Sequence, residues 1–215
     1  DTPAMPPLAA AHAVITLLDG HEGLREQDAT LVRFILDSGG AMVLAVNKWD
    51  GLDRDQRDKV KRELEFKLPF LTFASIHYIS ALHGSGVGNL FDSVLTAFDS
   101  AMRDMSTNHL TQLLQDMVSA HAPPVVKGRR IKLRYAHQGG KNPPIIVVHG
   151  TQTEAVPDAY RRYLINGFQK HLKLQGTPVR VEFKSGKNPF AGKKNILTKR
   201  QMDKRKRLRK FTSRK

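Results

Sequence analysis

No cysteine occurs among the 215 residues, which removes a disulfide framework, a zinc ribbon and a thiol nucleophile together. Nothing in the chain then requires an oxidising compartment, and a cytoplasmic location is the default expectation. Long apolar stretches are missing as well. Runs such as Ala13–Leu18 and Ile145–Val148 fall far short of a membrane span, and no charged-then-apolar leader pattern opens the chain, so no membrane partner is expected. Nine histidines are present, but none pairs with another at helical i, i+4 spacing beside a carboxylate, so packing and surface roles are expected rather than metal binding.

What is abundant is positive charge, and it is unevenly placed. The formal net charge is +15. Residues 1–105 hold 10 basic and 15 acidic side chains, residues 106–183 hold 11 and 4, and residues 184–215 hold 14 and one. An acidic, enzyme-like beginning joined to a strongly basic end points to a polyanionic partner, usually nucleic acid.

Periodicity divides the chain into three parts, with boundaries expected at 1–105, 106–184 and 185–215. In the first, apolar runs at 13–19 and 42–46 and the segment Ile76–Ser80 read as strands. They alternate with helices over 28–38, about 53–67, and a last helix carrying Phe91, Val94, Leu95, Phe98 and Met102. That alternation predicts an α/β fold with a parallel sheet and flanking helices, whose ligand edge lies at the carboxyl ends of the strands. Asp19, Asn47 and Ser80 fall at those ends. The second part reads as a small α+β unit: a helix through Leu110–Val118, strands at Arg130–Ala136 and Ile145–His149 around a Gly139–Pro143 turn, a helix from Asp158 to Leu172, and a strand at Val179–Phe183. Tyr160, Tyr163 and Phe168 could stack on bases, but their helical spacing assigns them to the core. From Lys184 on, charge dominates, and a tail that is disordered or ordered only by a partner is expected.

The chemistry concentrates at the predicted sheet edge. Guanine offers two adjacent donors, its N1 proton and 2-amino group, which one carboxylate can accept together. In Asn47-Lys48-Trp49-Asp50, Asp50 supplies that carboxylate, Asn47 can bond the O6/N7 edge and help brace the loop, and the Lys48 stem can lie along base and ribose. Ser80-Ala81-Leu82 would present a backbone N–H, that of Ala81, to O6, leaving adenine with unpaired polar groups. His83, beside that turn, reads as loop structure.

At these motifs the sequence resembles the EngA/Der family of double GTPases. Asn47–Leu52 (NKWDGL), 80–91 (SALHGSGVGNLF), and Arg129-Arg130, Tyr135-Ala136-His137 and Asn142-Pro143-Pro144 carry the likeness, which covers essentially the whole chain. It implies the later portion of a second G domain of P-loop type, then a KH-like domain and a basic tail. It further implies GTP or GDP as ligand, magnesium in the full-length protein, an additional N-terminal G domain in the same chain, and a role in assembling the large ribosomal subunit on its rRNA.

The phosphate-binding pattern G-x-x-x-x-G-K-[ST] is nowhere in the sequence. Gly140-Lys141, Gly186-Lys187 and Gly192-Lys193 lack both the earlier glycine and the following hydroxyl residue. Asp1-Thr2 could open the family's magnesium-side D-T-A-G motif, but Pro3-Ala4 breaks it, and the expectation is that residues are missing after Thr2. The chain as given is therefore expected to recognise guanine without competent hydrolysis, and no catalytic residue is assignable. An alternative is an RNA- or ribosome-binding module with no nucleotide turnover.

The second part also lacks the G-x-x-G loop with which KH domains clamp single strands, because Gly139-Gly140 falls between strands. Protein docking and rRNA contact both remain open for it. In the tail, Lys193, Lys194, Lys204, Arg205, Lys206, Arg207, Arg209 and Lys210 are the candidate RNA contacts, gaining affinity through counterion release.

Overall fold

The computed structural model describes residues 11–126, 128–186 and 198–212. Two compact units are distinguished, Asp1–Ser185 and Gly186–Lys215.

The first unit opens with strand β1, Ala13–Asp19, followed by helix α1, Glu26–Ser38. Asp28 starts that helix by accepting the Arg25 N–H at 2.9 Å, and Gly39 ends it at φ 90°, a left-handed conformation that glycine adopts without a Cβ penalty. Strand β2, Ala41–Asn47, is buried along six of its seven residues, as a central parallel strand must be. Helix α2, Arg54–Lys67, begins with a reciprocal cap: Asp53 accepts the Gln56 N–H at 2.8 Å and Gln56 accepts the Asp53 N–H at 2.9 Å. Strand β3, Ser75–Tyr78, and helix α3, Gly88–Met102, complete this half. The strands are parallel in the order β1-β2-β3, and the register pairs Asp19 with Asn47, so the first two strands finish level.

Alternation along β2 feeds two cores. Met42, Leu44 and Val46 pack with Val32 and Ile35 of α1 and Val60 and Leu64 of α2, while Ala41, Val43 and Ala45 pack with Leu90, Ala97 and Ala101 of α3. Cover on the α3 side is complete at β2 but not at β1, where Ile15 and Leu17 are exposed, as are Phe91 and Leu95 of α3.

The other half of this unit contains helix α4, Thr107–Ala120, a two-residue pair β4, Val125–Val126, with β5, Arg129–Arg130, then β6, Lys132–Gly140, β7, Ile145–Thr151, helix α5, Asp158–His171, and β8, Arg180–Ser185. The sheet order is β6-β7-β8, antiparallel then parallel. One face packs on α4 and α5 through Leu110, Leu114, Ala136, Ile146, Val148, Leu164 and Phe168. Two expectations are corrected here. Arg130 belongs to the separate β4–β5 pair, and Gly139-Gly140 extend β6 instead of forming the turn. A Cβ on Gly139 would lie 2.5 Å from Val147 Cγ2, so glycine there permits close strand approach.

The two halves join at the pole of the parallel sheet opposite Asn47. Gly176 slots between β2 and the segment before β3, accepting the Met42 N–H at 2.5 Å and donating to the Phe73 carbonyl at 2.7 Å. Nearby, the Gln175 N–H donates to Ser100 Oγ at 3.2 Å and the Asn142 N–H to the Ala101 carbonyl at 3.0 Å.

The second unit contains helix α6, Lys199–Thr212. Of the two states expected of the tail, disorder is corrected over that span, which is helical. Lys, Arg, Gln, Met and Leu are all good helix formers, and that propensity prevails over the self-repulsion of so many like charges.

Candidate guanine-nucleotide site

The strand-end loops converge as their positions on parallel strands require. Asn47 ends β2, and its Oδ1 accepts the Ala81 N–H at 2.8 Å, tying the Asn47–Asp50 loop to the Ser80–Leu82 turn. The Trp49 N–H donates to the Ile79 carbonyl at 3.1 Å, and Ser80 and Ser85 form an antiparallel bridge that closes the second loop. Asn47 thus has the bracing role expected of it. The Ala81 N–H assigned to O6 is engaged by Asn47 in this structure, so a base would have to share that donor or displace its acceptor.

Lys48 adopts φ 60°, which turns its side chain back toward β1. Its Nζ lies 2.6 Å from Asp19 Oδ2. Asp19 is held below the ordinary carboxylate range first by its bond to Lys48 and further by the His21 N–H, and Lys48 is correspondingly raised by Asp19. Sequence reasoning placed Asp19 at the ligand edge but missed this pairing. The in-register ends of parallel strands are the signal that could have found it.

Asp50 remains partly exposed at the same edge. The Ser80 hydroxyl lowers its pKa most, with the charges of His83 and His21 contributing in the same sense. Ser80, buried at 2% exposure, also accepts the His83 N–H at 3.3 Å. His83, read from sequence as loop structure, places Nε2 3.3 Å from Asp50 Oδ2. Leu82 is 87% exposed and stands free beside the site. Trp49 points away: its ring meets Tyr78 at 4.1 Å, lies under Arg57 at 5.6 Å and Lys61 at 5.9 Å, and its carbonyl accepts from Arg57 at 3.1 Å. This residue anchors the loop that presents its neighbour Asp50.

Asp1, Lys193 and Lys194 lie outside the described residues. Lys204, Arg205, Lys206, Arg207, Arg209 and Lys210 all fall within α6. Tyr160 and Tyr163 are turned into the α+β core, their hydroxyls donating to the His121 and Met117 carbonyls at 2.7 and 2.9 Å. Among the described residues, no group of three or more His, Asp or Glu side chains is placed to hold a metal ion. No described helix is long and apolar enough to cross a membrane.

Comparison with known proteins divides the chain in two. Residues 105–184 match the KH-domain-like family of EngA bacterial GTPase enzymes, C-terminal, and residues 4–100 match the elongation factor Tu GTP-binding domain family. The protein called GTPase Der in Thioalkalivibrio sulfidiphilus is 60% identical over 96% of this chain and 44% of its own length. Its namesake in Hahella chejuensis is 58% identical over 93% and 42%, and that of Salmonella newport 54% identical over 93% and 41%. The chain therefore spans less than half the length of these relatives. Because both stretches find their families and relatives align along more than nine tenths of the sequence, the chain belongs to the EngA/Der family of GTPases, of whose members it represents a part.

Proposed function

We propose that this chain is the guanine-recognising and RNA-contacting part of a GTP-hydrolysing factor that assists assembly of the large ribosomal subunit. The observation that carries the guanine reading is the convergence of Asp50, Asn47 and Ser80 on one edge, locked by the bond from the Ala81 N–H to Asn47. Asp50 accepts the N1 proton and 2-amino group together, Ser80 keeps that carboxylate oriented, and Lys48, steered by Asp19, lays its stem along the base. Adenine would set its amino group against donors and leave Asp50 facing an acceptor, the mismatch that polar sites reject most strongly.

GTP supplies the phosphoryl group transferred to water. Groups to hold its phosphates and magnesium are not among the residues described, so hydrolysis is a property of the complete protein. An additional N-terminal G domain in the same chain fits the greater length of the relatives. The basic residues of the second half and α6 favour rRNA as the partner surface, in a cytoplasmic setting.

The test is Asp50→Asn in the complete protein. An amide reverses half of the hydrogen-bonding edge, so preference should pass from guanine to xanthine nucleotides. Retained guanine preference would remove Asp50 from the reading. A second reading, an RNA- or ribosome-binding module without turnover, draws on the missing G-x-x-x-x-G-K-[ST] pattern. Ribosome binding by the complete protein that rises with GTP favours the first, and binding indifferent to nucleotide favours the second.

A further inference from the structure

The β6-β7-β8 sheet has a second face, turned away from α4 and α5. On β6, Leu133 joins the core, but a shift of register between Leu133 and Tyr135 turns Tyr135 to the opposite side. Tyr135 pairs with His149 of β7, and their rings stack at 4.4 Å with 4° between planes. His137 packs beside the pair, its ring 5.0 Å from His149 and 6.4 Å from Tyr135. One face of the phenol is thus covered by imidazole, while Tyr135 as a whole stays 44% exposed.

Charge around the rings is predominantly positive. Lys184 of β8 pairs in register with His149, and Lys132 of β6 pairs with Thr151. Glu182, which pairs with Val147, is the acidic residue of β8 on this side. Burial first, then the charges of His137 and Lys184, hold His149 below the ordinary histidine range, so the ring stacked on Tyr135 stays neutral near neutral pH.

We propose that Tyr135, backed by His149 and His137, is a base-stacking platform for single-stranded RNA, with Lys184 and Lys132 taking the neighbouring phosphates. This rests on the RNA reading above and deepens it, because it gives the KH-like half a way to hold a strand without a G-x-x-G loop. A protein partner is disfavoured by the surface itself. Val125 and Tyr135 are the only large apolar side chains exposed among the described residues of this half, too few for a hydrophobic docking patch. Stacking, in contrast, needs one free aromatic face and nearby cations.

The test measures binding of a fluorescein-labelled twelve-nucleotide oligoadenylate to the 215-residue chain by anisotropy, over a range of potassium chloride. Tyr135→Ala should weaken binding by about tenfold at every salt concentration and leave the slope of log affinity against log salt unchanged. Tyr135→Phe, which keeps the ring, should bind as the unaltered chain does. If Tyr135→Ala binds undiminished while the unaltered chain binds well, the platform is overturned and the RNA reading stands. If the unaltered chain does not bind, both fall. Ultraviolet crosslinking of a 4-thiouridine strand to the unaltered chain gives a readout independent of any variant's folding: adducts on Tyr135 support the platform, and adducts confined to residues 193–215 overturn it.

Discussion

Lys48 and Asp19 form an ion pair 2.6 Å long between the residue that follows β2 and the last residue of β1, and it sets the direction of the lysine stem at the candidate guanine site. Both side chains are partly exposed, so the pair matters for pose more than for stability. Asp19→Asn should lower guanine-nucleotide affinity of the complete protein by roughly two- to fivefold, read by titration with a fluorescent GDP analogue. Because the folded Asp19 is held below its unfolded value, its contribution persists through the ordinary carboxylate range and disappears only as pH falls through the lowered value. An unchanged affinity in Asp19→Asn would show that Lys48 holds its pose without this partner.

Tyr160 carries a second pH signature. Burial, then the neighbouring Tyr163, pushes its phenol up to about 12 from an ordinary 10.0, and its hydroxyl donates to the His121 carbonyl at 2.7 Å. The unfolded chain loses this proton first, so stability should be level below pH 10 and decline between there and about pH 12. Tyr160→Phe should flatten that decline. It should also cost about 1 kcal/mol in urea unfolding at neutral pH, because the His121 carbonyl is left without its donor.

At Gly176 the expected effect is steric. The residue has φ +69°, and a Cβ would come within 2.3 Å of Ala97 Cβ. Gly176→Ala should destabilise the first unit by about 2 kcal/mol or more, from left-handed strain together with overpacking. A melting temperature equal to that of the unaltered chain would mean the junction can open at little cost.

Deleting residues 193–215 addresses the basic tail. For every phosphate that the tail neutralises in the bound state, its removal should flatten the salt slope of single-stranded RNA binding by about 0.7. A slope that does not move after the deletion would take α6 out of RNA binding.

The sequence displayed the strand-end placement of Asn47, Asp50 and Ser80 because each motif directly follows an apolar segment, and a parallel sheet delivers such ends to one edge. The buried faces of α1, α4 and α5 were legible through Val32 and Ile35, Leu110 and Leu114, or Leu164 and Phe168 repeating at helical spacing, but that of α3 was misread: Phe91 and Leu95, expected on its apolar face, are exposed, and the smaller Ala97 and Ala101 with Leu90 are buried against β2. Gly139-Gly140 misled, since glycine marks both a turn and a place where strands come unusually close, and only the partner Val147 decides between them. The approach of His83 to Asp50, the turning of Tyr135 by a bulge, and the insertion of Gly176 all depend on backbone paths between elements, which periodicity does not encode.

That insertion has a mechanical meaning. Gly176 is hydrogen-bonded on one side to Met42 and on the other to Phe73, so the KH-like half is laced into the parallel sheet by main-chain bonds. Tilting one half against the other would strip a buried N–H and a buried carbonyl of their partners at once, a penalty of a few kcal/mol with nothing nearby to replace them. The pair should therefore behave as one stiff lever, with the guanine loops at one pole and the Tyr135 stack carried on the far arm.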